Sequence, residues 1–139
     1  MYVSGKLPGK PLKEETSSPP STSVQIPGYE HLGKTMPYNE AKKLTAGYQG
    51  EIQAHHLLEQ RIAEKFDINT NNLMSTIVTR AQHQDFTKAW RSTFSYGTDY
   101  SAISWERYVN AGKSIYANYP DMLNAFLNDM NTYKSYFPF

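Results

Sequence analysis

Apolar positions follow two regimes along this chain. From residue 38 onward they recur at helical spacing or in short extended runs, whereas residues 1–27 show neither pattern. That first stretch holds Pro8, Pro11, Pro19, Pro20 and Pro27 and a Ser/Thr-rich run from Thr16 to Ser23. It has too little apolar surface to offset the entropy of ordering it, which predicts a flexible, partly polyproline linker over 1–27 and a folded domain over 28–139. A linker at a terminus is expected where a domain has been cut from a longer chain.

Tyr38 to Gly47 suits a short helix, with Pro37 in its first turn, Glu40 near the positive end of the dipole, and Lys42 and Lys43 near the negative end. Gly47 and Gly50 interrupt it, and Glu51 to Ala54 alternates in polarity as a short strand or turn does. His55 and His56 then close an extended segment, ahead of a helical stripe of Leu57, Leu58, Arg61, Ile62, Lys65 and Phe66. Asp67 to Asn72 is dense in turn formers and predicts a loop; Leu73 to Val78 predicts a second strand. Thr79-Arg80-Ala81-Gln82 is a capping box that starts a helix running to about Arg91, with Phe86, Ala89 and Trp90 on its apolar face. Past the loop Ser95 to Asp99, Trp105, Tyr108, Val109, Ile115 and Tyr116 share a helical face with Gly112. Tyr119-Pro120 ends that helix and begins another, whose stripe is Leu123, Phe126, Leu127 and Met130. The expected fold is therefore α+β and mainly helical, with a helical hairpin over about 101–134 packed on the histidine-bearing part.

Composition narrows the chemistry. The 139 residues carry a formal charge of +1 and no cysteine. Disulfides, thiolate zinc sites and iron–sulfur clusters are excluded, so a metal would rest on His, carboxylate, amide and water. The near-zero charge argues against a basic nucleic-acid coat, and the basic surplus lies in the first 48 residues, leaving the histidine-bearing part slightly acidic. No apolar run approaches the ~18 residues of a membrane span, and the start lacks a signal-peptide core, so no membrane insertion by this chain is expected. It is expected to act as a monomer.

Three of the four histidines, His55, His56 and His83, fall close together in the order strand, loop, strand, helix; His31 stands alone in a Gly-flanked turn. Imidazole titrates near neutrality, so His56 can act as a general base, while His55 and His83 can ligate a divalent ion. Successive strand residues point to opposite sides, so His55 and His56 serve one site only if the strand ends or bends there.

These residues resemble the His-Me finger (HNH/endonuclease VII) nucleases, particularly the Ala-His-His toxin domains at the C-terminal tips of bacterial polymorphic toxins of the Rhs/YD-repeat or wall-associated kind. Ala54-His55-His56-Leu57-Leu58 matches the first motif, Asn71 or Asn72 the middle asparagine, and Gln82 to Trp90 the final helix. The resemblance spans about residues 46–91 and implies a small ββα-metal unit packed on the helical pair. It implies that His56 activates water for attack on a phosphodiester, that Asn72 (or Asn71) orients His56, and that His55 and His83 hold one divalent ion. Many members carry a second His or Asn where this chain has Thr87, so water and phosphate oxygens would complete the shell, which favours Mg²⁺, with Mn²⁺ or Zn²⁺ possible. Arg80, Lys88 and Arg91 lie on the same helix and can meet substrate phosphates. The implied partners are a nucleic acid, DNA or a compact RNA such as tRNA, and a cognate immunity protein covering the cleft; the implied setting is a larger secreted or cell-surface toxin acting in the cytoplasm of a target cell.

Blander readings compete. The histidine pair can satisfy hydrogen bonds at a strand end, His83 can be an ordinary helix residue, and Arg80, Lys88 and Arg91 can form a solvated face. Glu59 reads as a solvated partner of Arg61 or Lys65, Tyr96 and Tyr100 as exposed rings able to stack on a base, and Trp90, Trp105, Tyr108 and Phe126 as core. A metal-independent ribonuclease using His55 and His56 as acid and base is the second enzymatic reading. A non-catalytic helical interaction module is the third.

Overall fold

A two-sided central strand organises the first half of the domain. The computed structural model describes residues 28–139, so the linker expected over 1–27 lies outside the described residues. Strand β1 (Thr35–Pro37) leads directly into helix α1 (Tyr38–Thr45), and strands β2 (Ile52–His56) and β3 (Met74–Thr79) follow. Both outer strands pair antiparallel with β3, in the order β1-β3-β2. Ile52 faces Thr79 across the ladder and His56 faces Ser75, so the histidines stand at the end where β3 begins. Sequence pattern did not reveal β1, because three residues are too few to show alternation; Pro37 is tolerated there on an edge strand, where its missing N–H interrupts no ladder on the far side.

Successive side chains of β3 enter different cores. Ile77 packs with Ala41 and Ile52 beneath α1, whereas Val78 joins the main core with Leu57, Trp90, Tyr108 and Phe126. That core is covered by four further helices: α2 (Gln60–Ala63), α3 (Arg80–Thr93), α4 (Trp105–Ile115) and α5 (Pro120–Thr132). The architecture is α+β, as expected. α2 is shorter than the stripe from Leu57 predicted: Leu57 and Leu58 are buried, but the first helical turn begins only after Glu59. The capping box forms as read: Thr79 Oγ1 accepts from the Gln82 backbone N–H at 3.1 Å, and Gln82 Oε1 accepts from the Thr79 N–H at 2.9 Å. Two deeper satisfied donors at this end fix where α3 leaves the sheet. No helix among the described residues is long and apolar enough to cross a membrane.

The α4/α5 pair closes the core through a small residue. Gly112 lies against the Phe126 ring, and a Cβ at that position would overlap the ring, which is itself wholly buried. The inward face of α5 carries Met122, Phe126, Asp129 and Met130; Leu123 and Leu127, expected on that face, are only partly buried. Asp129 replaces an apolar contact with a specific one, its Oδ2 accepting the Met74 backbone N–H at 2.8 Å and so joining α5 to the start of β3. Burial pushes the Asp129 carboxyl up from 3.8 to about 7.

Two outcomes follow from this packing. Gly112→Ala should lower unfolding stability by ~1–3 kcal/mol in denaturant titration, through overpacking against Phe126. Because Asp129 holds its proton more tightly folded than unfolded, stability should fall as pH rises from about 4 to about 7 on its account. Asp129→Asn, which keeps an acceptor for Met74, should remove that component of the pH dependence of Tm.

Candidate functional site: a three-histidine cleft beside a basic one

The two histidines at the end of β2 point to opposite sides, as strand geometry requires, yet both reach one cleft because the strand stops there. His55 turns toward α3: its ring stacks on Phe86 at a centroid distance of 5.0 Å and meets His83 edge-on at 5.3 Å. Its Nε2 lies 2.8 Å from the Tyr116 hydroxyl at the C-terminal end of α4. Complete burial, then the neighbouring His83 and His56, drive its pKa well below 6.5, so the ring is neutral at physiological pH.

His56 turns the other way and stacks on Tyr38 at the start of α1, centroids 3.9 Å apart. Its Nε2 is 3.2 Å from the Thr70 carbonyl oxygen. A carbonyl only accepts, so Nε2 carries the proton and Nδ1 bears the lone pair. Burial pushes His56 down to about 4, against the opposing pull of the Thr70 bond. His83, one turn into α3, is also lowered by burial.

His55, His56 and His83 line a cleft of about 210 Å³ together with Glu59, Arg61 and Thr87. A second cleft of about 400 Å³ adjoins it, and His83 and Thr87 line both. Arg80, Lys88 and Arg91 all line the second cleft. Their positions, with Gln84 and Thr87 between, recur at three- and four-residue steps, which stacks them along one face of α3. The cationic residues expected to meet phosphate are therefore next to the histidines.

The asparagine expectation needs correction. Asn71 and Asn72 are exposed in the single turn Thr70–Asn72, and neither side chain bonds to His56. The orienting group is the Thr70 main-chain carbonyl; the Asn-rich segment shapes the turn that presents it, with Asn69 Oδ1 accepting the Asn71 N–H at 3.1 Å. Glu59 is buried rather than solvated, and its Oε1 accepts from Arg61 Nε at 2.7 Å. Burial raises the Glu59 carboxyl, with Arg61 working against that shift. Arg61 also donates to the Phe94 carbonyl and to the Tyr100 hydroxyl, so Tyr100, expected to be exposed, is held in the core. Tyr96 does remain exposed, with the Arg61 and Arg91 guanidinium groups 5.0 and 4.6 Å from its ring centroid. Tyr116 carries no mark of a site residue in the sequence, since no local pattern links it to a histidine 61 positions earlier.

Among the described residues, no group of three or more His, Cys, Asp or Glu is arranged to hold a metal ion. His55 and His83 are the two imidazoles that face each other in the cleft, and both are neutral, the form that ligates. Two such ligands fit an ion that keeps several oxygen ligands, and do not fit a closed four-ligand zinc site. No family model, curated protein or solved structure matches the chain.

The burial of His56 has a measurable sign. Its folded pKa lies below the unfolded value, so the unfolded chain takes up the proton first, and the stability His56 contributes when neutral is lost as pH falls from 6.5 to about 4. In NMR titration the His56 ring should remain neutral through pH 6; a midpoint near 6.5 would show a solvated ring and contradict the packing against Tyr38.

Proposed function

We propose that this chain is a metal-dependent endonuclease of the His-Me finger kind, with β2, β3 and α3 as its ββα-metal unit. The observation that supports this reading is the meeting of three neutral histidines in one cleft with a second, shared-wall cleft lined by Arg80, Lys88 and Arg91. Phosphodiester hydrolysis needs a base for water, compensation of charge on the phosphoryl oxygens, and a grip on the flanking phosphates.

In this reading His56 Nδ1 takes the proton from water as that water attacks phosphorus, while the Thr70 carbonyl holds Nε2 protonated and the ring in place. The approaching phosphate charge raises the His56 pKa from its low value in the free protein toward the range useful to a base. Arg80, Lys88 and Arg91, in the adjoining cleft, bind phosphates next to the scissile bond. His55 and His83 would hold one divalent ion, Mg²⁺ before Mn²⁺ or Zn²⁺, which when bound supplies stabilisation of the leaving oxygen and the developing charge. The substrate is DNA or a compact RNA such as tRNA. The domain would serve as the toxic tip of a larger secreted or contact-delivered protein, in contact-dependent inhibition, and its producer would need an immunity protein, acidic enough to mimic phosphate, over the two clefts.

A second reading rests on the ligand count. With two imidazoles and no third ligand among the described residues, the same cleft suits a metal-independent ribonuclease in which His55 and His56 divide the acid and base roles.

Cleavage of plasmid DNA and total tRNA by the full chain, with Mg²⁺, with EDTA and with His56→Ala, separates these readings. The nuclease reading expects loss of cleavage in EDTA and a drop of ~10²–10⁴-fold for His56→Ala. Undiminished cleavage by the variant would overturn the role of His56, and EDTA-resistant cleavage of RNA alone would favour the ribonuclease.

A further inference from the structure

Tyr116 places a wholly buried hydroxyl among three polar neighbours. It donates to the Leu57 carbonyl at 2.6 Å, receives the Trp90 indole N–H at 3.1 Å, and lies 2.8 Å from His55 Nε2. A phenol has one proton to give and lone pairs to accept two. The indole can only donate. Leu57 is wholly buried, and its carbonyl has no other hydrogen bond among the described residues, so turning the phenol proton toward His55 would orphan that carbonyl. The arrangement that satisfies every atom has His55 Nε2–H donating to Tyr116.

We infer that Tyr116 is a positioning residue that fixes His55 as the Nε2–H tautomer and leaves Nδ1 as its one lone-pair atom in the histidine cleft. The ring cannot easily swing to exchange its nitrogens, because it is stacked on Phe86 and enclosed to 2 % exposure. Nδ1 is then the atom of His55 that binds a cation or accepts a proton from a ligand, beside the edge-on His83 ring. That the ligand is a divalent cation rests on the function proposed above; the tautomer does not. Tyr116 thus acts on the cleft through another residue, from a different helix, without touching anything bound there.

Long-range ¹H–¹⁵N correlation spectra of the ¹⁵N-histidine-labelled full chain at neutral pH, with His55→Gln to assign the signals, test this. The wild type should show a pyrrole-type shift for His55 Nε2 and a pyridine-type shift for Nδ1. Tyr116→Phe should let both tautomers populate and weaken Mn²⁺ binding, read by calorimetry, by ~10–100-fold. Trp90→Phe disturbs the same packed cluster without removing the hydroxyl, and should leave the tautomer as in the wild type. A pyridine-type Nε2 in the wild type would overturn the inference, and so would a Tyr116→Phe variant with unchanged tautomer and Mn²⁺ affinity. A wild type with the expected tautomer that cleaves no nucleic acid would contradict the nuclease reading and leave the role of Tyr116 standing.

Discussion

The Tyr116 hydroxyl joins three elements at one buried point: the end of β2 through His55 and Leu57, α3 through Trp90, and α4 through its own backbone. In a low-dielectric interior each of these bonds is worth having only if all are made, because any partner left alone costs the full penalty of its lost hydration. The helical pair at the C-terminus is therefore more than cover for the core. Through Tyr116, at the end of α4, it holds His55 from behind and decides which nitrogen of that ring the cleft contains.

Burial on this side and hydrogen bonding on the other give the two adjacent histidines different surroundings from one short strand. His55 lies among aromatic rings, on Phe86 and against Tyr116, whereas His56 lies between Tyr38 and the carbonyl of Thr70. Both are neutral for the same dominant reason, desolvation, which leaves one lone-pair nitrogen on each. A chain with a formal charge of +1 has no general attraction for polyanions. Three of its cations, Arg80, Lys88 and Arg91, instead lie along the one face of α3 that also carries His83, where the proposed chemistry needs them.

Elements with strong local signals were legible in the sequence. The Thr79/Gln82 capping box and the start of α5 at Pro120 lie where capping chemistry puts them, and α4 buries Tyr108, Val109 and Gly112 of its expected face while leaving Trp105 and Ile115 only partly buried. β1 was not legible, since its three residues belong to the sheet only by pairing with Thr76, Ser75 and Met74 some 40 positions later. The inward carboxylate of Asp129 was hidden by the opposite circumstance: a polar residue on an apolar helix reads as solvent-facing until its acceptor role for Met74 is seen. Within the cleft, the histidines and the cationic face of α3 could be named from residue type and order. The groups that orient them could not, because Thr70 acts through its main chain and Tyr116 through a tertiary contact, and neither leaves a trace in spacing.

In the proposed function, water activated by His56 attacks a phosphodiester in the three-histidine cleft. Analysis of the ends produced when the full chain is incubated with a structured RNA and Mg²⁺ reads that step directly. Attack by water leaves a phosphate monoester on one fragment and a free hydroxyl on the other, with no cyclic product. Fragments ending in a 2′,3′-cyclic phosphate would mean that the RNA's own 2′-hydroxyl was the nucleophile, and together with an absence of DNA cleavage would contradict the assignment.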